Sequence, residues 1–207
     1  MDHKRITELL SPFLDEVALS DIQLGQVTAY LDLLLKWNAK FNLSAIRDPE
    51  EIIARHFGES LFAARHLLES SSVSSAIDVG SGAGFPGLPL KIWAPGLKLV
   101  LVESNHRKAT FLREVARTLA FSDVAVMSRR AEEIGDKAEL VTFRAVDHFE
   151  RTLVTARHLM AEPGRIALLI GSAQLPQAKA AVPDLQWDAP VQIPLSTNRT
   201  LLTGTQN

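Results

Sequence analysis

The chain has 207 residues, with 22 Lys and Arg against 24 Asp and Glu, which gives a formal net charge of −2. Apolar residues make up 46% of the sequence, so the chain can bury a core and does not belong to the disordered class. It contains no Cys, which excludes a disulfide framework, a thiolate metal site and a Cys nucleophile. No apolar run is long enough to span a bilayer and the first residues do not resemble a signal peptide, so we expect a cytoplasmic protein without a membrane partner.

Residues 1–72 are predicted to form a helical extension. Apolar side chains recur every three or four residues over 6–17, which is typical of one apolar helix face. A second helix begins at Ser20, which offers a capping box. The amides and aromatics of residues 37–43 interrupt its pattern, and an Asp-Pro-Glu start predicts a third helix over 48–67.

From residue 73 onward, short apolar runs alternate with helical patterns. The runs predict strands at 76–79, 97–102, 124–127, 140–143 and 166–170. The helical patterns between them fall at 86–93, 105–119, 131–135 and 148–161. This alternation predicts a parallel, doubly wound α/β sheet over 73–207, packed with the extension into one compact unit. The Pro-rich and β-branched segment 185–203 predicts two closing strands that run antiparallel.

A glycine-rich loop carries the clearest chemical signal. It follows Asp78 and the first predicted strand, where glycines let the backbone turn sharply and approach a ligand closely. From Gly82 the pattern is G-x-G-x-x-G, and Glu103 lies 21 residues further on, at the end of the second strand. This spacing is typical of a site that holds an adenosine ribose, as in NAD or S-adenosylmethionine (SAM).

Three features of the loop favour SAM over NAD. The glycine run starts most naturally at Gly80, so Asp78 lies two residues before it, where a dinucleotide strand is usually apolar. A carboxylate suits the ammonium and sulfonium charges of SAM and repels a pyrophosphate. Pro86 also removes an N–H that a pyrophosphate would use. A nicotinamide-dependent oxidoreductase that uses the same loop is the alternative.

Several segments together resemble a known family. They are K-W-N-A-K-F-N-L at 36–43, R-D-P-E at 47–50, R-H at 55–56, D-V-G-S-G-A-G-F-P-G-L-P-L at 78–90, V-E-S at 102–104, R-K with F-L at 107–112, R-A-E-E at 130–133 and R-A at 144–145. Over roughly residues 20–170 the chain resembles the bacterial small-subunit rRNA guanine-N7 methyltransferases, long called glucose-inhibited division protein B. The G-F-P-G-L-P-L segment, taken with the upstream W-N-x-x-x-N-L, makes this resemblance highly specific.

The resemblance implies a class I SAM-dependent methyltransferase: a Rossmann-like, mostly parallel seven-stranded sheet with an N-terminal helical extension. The implied reaction is methylation of N7 of a single guanosine, guanosine 527 in the 530 loop of 16S rRNA, with the small ribosomal subunit or its precursor as partner. The positions that match the family's SAM contacts are Gly80, Phe85, Glu103, Ala131, Glu132 and Arg144. The pattern of the glycine loop adds Asp78 and Gly82 as candidate cofactor contacts.

Guanine N7 has an in-plane lone pair and no proton, so the implied reaction needs no general base. Catalysis then consists mainly of alignment and desolvation. We therefore assign no general base, and Arg144 is expected to position the substrate, since N7 and O6 of guanine are acceptors.

Two groups of polar residues are candidate RNA contacts. They are Asn38, Asn42, Arg47, Arg55 and His56 in the extension, and Arg107, Lys108 and Arg130, with Arg129, in the second half. Instead of contacting RNA, the first group could pack the extension against the sheet, and the second group could form an ordinary solvent-exposed helix face. The six His residues show no metal-ligand spacing, so we expect no metal, and we expect a monomer.

Two positions depart from the family pattern. Ile170 stands where the family usually has Lys, and Glu59 stands where it more often has Asp. The missing cation motivates a further alternative, a non-catalytic RNA-binding assembly factor on the same fold.

Overall fold

The computed structural model describes residues 1–69, 72–145 and 148–206. The extension consists of α1 (His3–Leu14), α2 (Asp21–Phe41), α3 (Pro49–Ile52), a π-helical segment (Ile53–Gly58) and α4 (Glu59–Leu68). The capping box predicted at Ser20 is present, and the Asp48 carboxylate accepts the Glu51 N–H at the start of α3. The helical extension therefore begins its second and third helices where the caps predict.

Two helix ends differ from the sequence-based expectation. The second helix does not break at residue 37 but continues to Phe41, because Asn38 is buried and turns its amide toward the following loop. The first helix ends at Leu14, and Val17 of the predicted apolar stripe is exposed.

The second part of the chain builds one mixed sheet. Its strands are β1 (Ser75–Val79), β2 (Lys98–Val102), β3 (Val124–Met127), β4 (Ala138–Arg144), β5 (Met160–Gly171), β6 (Leu185–Trp187), β7 (Val191–Gln192) and β8 (Arg199–Gln206). The strand order is β3-β2-β1-β4-β5-β8-β6, with the short β7 also paired to β8. The pairs among β1 to β5 are parallel, and all pairs to β8 are antiparallel.

The mostly parallel α/β sheet is confirmed, with a two-residue strand beyond the seven expected. The closing segment contains three strands rather than two, because β6 and β7 pair with different parts of β8. β6 pairs with residues 204–206, and β7 pairs with residues 200–201. The helices that connect the strands are α5 (Gly87–Trp93), α6 (His106–Thr118), α7 (Phe149–His158) and α8 (Leu175–Ala181).

Two apolar cores lie on the two faces of the sheet. One joins the extension to the sheet through α2, the π-helical segment, α5 and α6. The other lies under α7 and α8 and contains Ile170, whose side chain is 4% exposed. The residue that replaces the family's Lys is thus a core residue in this chain.

Candidate functional site

A cavity of about 630 Å³ lies at the carboxyl ends of the parallel strands. The loops after β1, β2, β3 and β4 meet at this edge, which is where open α/β sheets bind ligands. The cavity is lined by Leu43, Ser44, His56, residues 79–83, Phe85, residues 102–104, Lys108, residues 129–132, Arg144, Ala145, His148, Arg151 and Thr152. Its size is that of a site for a small organic molecule.

The glycine loop forms one wall. Gly80 and Gly82 have φ values of 65° and 58°, a left-handed conformation that side chains with a Cβ rarely adopt. The Ser81 hydroxyl donates to the Asp78 carbonyl and holds the turn together. These glycines therefore place backbone at the cavity wall, as the sequence predicts.

Asp78 does not reach the cavity, contrary to the expectation of a cofactor contact. Its carboxylate is fully buried, accepting the Thr142 hydroxyl at 2.8 Å and the Gly87 N–H at 3.3 Å. Burial raises the pKa of Asp78 to about 6. The side chain points into the fold because both of its partners lie there, so it supports the loop from below.

Glu103 does line the cavity. One carboxylate oxygen accepts the Gly82 N–H at 2.9 Å and the other accepts the Asn105 N–H at 2.8 Å. Each oxygen of a carboxylate can accept a second hydrogen bond. Glu103 can therefore accept a further hydrogen bond from a ligand on each carboxylate oxygen.

The strand β3 leads into a short 3-10 helix at Ala131–Glu133, whose first two residues line the cavity. The exposed Glu132 pairs with Arg151 at 3.1 Å. A backbone hydrogen bond, and secondarily that arginine, lower the pKa of Glu132. Ala131 and Glu132 therefore both line the cavity.

Phe85 contributes little surface, although it touches the cavity. It is 4% exposed and packs in parallel on Tyr30, with ring centroids 5.2 Å apart, and on His56, at 4.8 Å. The Tyr30 hydroxyl donates to the Ala83 carbonyl in the same loop. Phe85 thus joins the glycine loop to the extension.

Arg144, at the end of β4, is the centre of a buried polar cluster. Its guanidinium donates to the Arg55 carbonyl at 3.1 Å and to His56 Nδ1 at 2.8 Å, and it lies 3.5 Å from the Glu59 carboxylate. Burial lowers the pKa of Arg144 to about 10, so it carries its charge at neutral pH.

The cluster continues through Glu59 to Arg199 at the start of β8. The Glu59 carboxylate, 4% exposed, is 3.3 Å from the Arg199 guanidinium. Burial raises the pKa of Glu59, and Arg199 and Arg144 oppose that effect. Sequence reasoning missed Arg199, since an isolated Arg after a Pro-rich segment carries no local signal.

His56 is neutral in this cluster. Burial and the positive charge of Arg144 lower its pKa to about 3. Because Arg144 donates to Nδ1, the ring hydrogen lies on Nε2, which donates to the Ser44 Oγ at 2.7 Å. Ser44 is a cavity residue that the sequence analysis did not select.

The predicted RNA contacts of the extension separate into three environments. Only His56 lines the cavity. Asn38 is buried, where it braces the loop after α2. The exposed Arg47 donates to the Asn42 side chain at 2.6 Å, and the exposed Arg55 pairs with Glu51 of the preceding α3 at 2.9 Å.

The predicted basic contacts lie on the sheet side of the cavity. Lys108 and Arg130 line it, together with Arg129, and both arginines are exposed. Arg107 is exposed, with its guanidinium carbon 5.9 Å from the centre of the Phe41 ring. Lys108, Arg129 and Arg130 place positive charge at the cavity, where it can meet phosphate, whereas Arg107 does not line it.

Within residues 1–69, 72–145 and 148–206, no group of His, Cys, Asp or Glu is arranged to hold a metal ion. Among the same residues, no helix is both long and apolar enough to cross a membrane. The cavity can bind a hydroxylated ligand at Glu103 and a phosphate-bearing partner at its rim.

The chain is similar to known methyltransferases in sequence. Residues 23–199 match the family model for rRNA small subunit methyltransferase G. The ribosomal RNA small subunit methyltransferase G of Xylella fastidiosa (strain 9a5c) is 37% identical over 200 residues, which cover 94% of this chain and 92% of that protein. The protein of the same name from Roseiflexus sp. (strain RS-1) is 40% identical, over 87% and 82% of the two chains.

Solved structures show the fold. Magnesium protoporphyrin IX methyltransferase from Synechocystis PCC 6803, solved with bound SAM, has a TM-score of 0.65 at 13% identity and covers 93% of this chain and 100% of that one. The ribosomal protein L11 methylase from Lactobacillus delbrueckii has a TM-score of 0.62 at 15% identity, over 74% and 80% of the chains. These likenesses confirm the class I methyltransferase architecture.

Proposed function

Because this chain belongs to the rRNA small subunit methyltransferase G family, we propose that it methylates N7 of a single guanosine in 16S rRNA. Its family makes it a SAM-dependent rRNA methyltransferase. We further propose that the target is guanosine 527 in the 530 loop, that the small ribosomal subunit or its precursor presents it, and that the enzyme acts as a monomer.

One observation supports this proposal most directly: the glycine loop, Glu103 and a basic rim share a single cavity. The acceptor sites of Glu103 suit the two ribose hydroxyls of SAM, whereas the buried Asp78 carboxylate does not reach the ligand and no longer separates SAM from NAD. The nicotinamide-dependent oxidoreductase is therefore no longer a competitor, since both the family and the folds point to SAM.

The residues hold the reactants rather than exchange protons with them. SAM supplies an electrophilic methyl group on a sulfonium. The guanine N7 lone pair forms the new carbon–nitrogen bond as the methyl–sulfur bond breaks, and no proton leaves the base. The chain then contributes alignment and exclusion of water, for which the buried cluster of His56, Arg144 and Glu59 gives a rigid wall.

The polar cluster also indicates how the extension takes part. Arg144 connects the end of β4 to the backbone of the π-helical segment at Arg55, and Glu59 connects α4 to β8 at Arg199. Single π-helical turns inside helices are frequent at functional sites. We propose that the extension forms the RNA side of the cavity while the glycine loop forms the SAM side.

Transfer of labelled methyl from SAM to small subunits that lack this modification tests the proposal. Cleavage selective for 7-methylguanosine should map one site in the 530 loop. Labelling elsewhere in the RNA would contradict the assigned target. SAM binding without transfer would instead favour the binding-only assembly factor, although Ile170 lies in the core and not in the cavity.

A further inference from the structure

Ser44 lines the cavity, and its hydroxyl can offer a ligand only its hydrogen. His56 Nε2 donates to Ser44 Oγ at 2.7 Å, and the Ile46 N–H donates to the same oxygen at 3.1 Å. A hydroxyl oxygen has two acceptor sites and one hydrogen. Because both acceptor sites are engaged, Ser44 can act toward a ligand only as a donor.

The direction of these hydrogen bonds is fixed by Arg144. A guanidinium can only donate, so the 2.8 Å contact between Arg144 and His56 Nδ1 makes Nδ1 the acceptor. The neutral ring then carries its hydrogen on Nε2 and must donate to Ser44. The hydrogen bonds from Arg144 to His56 and from His56 to Ser44 therefore run in the same donor-to-acceptor direction. The last acceptor, Ser44, lines the cavity.

The backbone around Ser44 is also held in place. Asn38, 3% exposed, accepts the Ser44 N–H at 2.9 Å and donates to the Ile46 carbonyl at 3.2 Å. Leu43, the preceding residue, is buried. The hydroxyl is thus presented by a braced loop, as a site that recognises a ligand requires.

Ser44 lies on the RNA side of the cavity as defined above. Its neighbour His56 belongs to the extension and is joined by Arg144 from the end of β4, whereas Glu103 and Glu132 line the cavity from the segments after β2 and β3. Guanine presents O6 and N7 as acceptors along one edge, whereas adenine presents an N6 amino donor beside N7. A donor-only hydroxyl matches guanine and opposes adenine.

We propose that Ser44 reads the identity of the target base: its hydroxyl donates to O6 of guanine and leaves N7 free to receive the methyl group. An adenine in the same position would set its amino group against the Ser44 hydrogen. This assignment rests on the proposed function, because it takes guanine N7 as the nucleophile.

The first test compares Ser44→Thr with Ser44→Val on small subunits that lack the modification. The two side chains have nearly the same shape, but only Thr keeps the hydroxyl. We expect Ser44→Thr to stay within about threefold of the wild type in kcat/KM and Ser44→Val to fall about tenfold or more below Ser44→Thr. SAM affinity, measured by calorimetry, should be the same for both variants.

The second test removes the partner atom from the RNA. A ligated 16S rRNA with 2-aminopurine at the target position lacks O6 but keeps N7, and it is reconstituted into small subunits beside the guanosine form. In a single turnover, the wild type should methylate the 2-aminopurine subunits about tenfold more slowly than the guanosine subunits. Ser44→Ala already lacks the hydroxyl, so the change of base should slow this variant little further. Ser104→Ala, which removes another hydroxyl from the cavity wall, should keep the wild-type ratio.

Each result has a definite meaning. Equal rates for Ser44→Thr and Ser44→Val would overturn the assignment. So would a second test in which the loss from Ser44→Ala and the loss from 2-aminopurine add independently in the combination. SAM binding that is weaker in Ser44→Val than in Ser44→Thr would also overturn the assignment, because the hydroxyl would then stabilise the loop rather than recognise the base. If Ser44→Val does not fold, the second test decides by itself. Failure of the wild type to methylate guanosine would instead refute the proposed function.

Discussion

Charged and polar side chains in the cavity wall and directly beneath it have identified partners. Asp78 is satisfied by Thr142 and Gly87, Glu103 by two backbone N–H groups, and His56 by Arg144 on one nitrogen and Ser44 on the other. Removing one partner leaves the other buried and unsatisfied, which typically costs about 1–3 kcal/mol. Single substitutions in this wall should therefore have effects beyond the atoms removed.

Glu103→Gln should weaken SAM binding at least about tenfold. The amide keeps one acceptor oxygen but turns an NH2 group toward a backbone N–H and toward a ribose hydroxyl. Calorimetric titration with SAM measures the change, and thermal unfolding reports any loss of stability. Glu133→Gln is the matched control, because Glu133 is exposed and does not line the cavity. Unchanged affinity in the Glu103 variant would refute its assigned role.

His56 should make stability depend on pH in a predictable direction. Its folded-state pKa of about 3 lies below the ordinary 6.5, so the unfolded chain binds a proton that the folded chain excludes. The free energy of unfolding should therefore fall as pH drops below about 6.5, by up to about 1.4 kcal/mol per pH unit.

Urea unfolding at pH 7.5 and 5.5 tests this expectation. The wild type should lose about 1 kcal/mol more than His56→Gln between the two values. Asp78 has a raised pKa and acts in the opposite direction, but it is present in both proteins and cancels in the comparison. Equal losses would show that the folded state does not lower the pKa of His56.

At the scale of elements, parallel strands bring separated loops to one edge. The loops after β1 and β2 supply the glycines and Glu103, the 3-10 helix after β3 supplies the rim, and β4 ends at Arg144. The exposed Arg129 and Arg130 precede that 3-10 helix. Their position at the cavity follows from the strand order.

Arg130→Ala should weaken binding of the unmodified small subunit and reduce its salt dependence. Removing one phosphate contact should lower the slope of log affinity against log salt by about one. Filter binding between 50 and 200 mM salt measures the slope, because the affinity of phosphate-contacting proteins for nucleic acid changes strongly over this range. Lys98→Ala is the control, because the exposed Lys98 begins β2 at the opposite edge of the sheet. Equal slopes for both variants would refute the contact.

At the scale of the whole molecule, the extension and the sheet share a core and a polar cluster. Phe57 of the π-helical segment and Tyr30 of α2 pack against Phe85 of the glycine loop. Glu59 of α4 bridges to Arg144 and Arg199 of the sheet. We propose that residues 1–72 and 73–207 unfold as one cooperative unit, since separation would expose both the apolar and the charged surfaces.

Single-tryptophan variants can test this cooperativity. One variant keeps only Trp37 on α2, and the other keeps only Trp187 on β6. Their urea transitions, followed by fluorescence, should coincide with the far-ultraviolet circular dichroism of the same sample. A Trp37 midpoint more than about 0.5 M below the dichroism midpoint would show that the extension unfolds separately.

Much of this protein could be predicted from its sequence, because the decisive signals are local. Alternating short apolar runs and helical stripes predicted the parallel sheet, and the caps at Ser20 and Asp48 predicted where helices begin. The spacing between the glycine loop and Glu103 predicted a site for an adenosine-bearing cofactor. Each of these signals lies within one element or between two consecutive strands, so no knowledge of long-range packing was needed.

Only the tertiary structure decided which side chains share the cavity. Asp78 belongs to the predicted motif but is buried in the core, whereas Ser44 was not selected and lines the cavity. Arg144 meets His56 across 88 residues of sequence, and Arg199 reaches Glu59 from another strand. Hydrogen bonds of this kind depend on how the extension packs on the sheet edge. Because that packing is set by the whole core, no local pattern of residues reveals it.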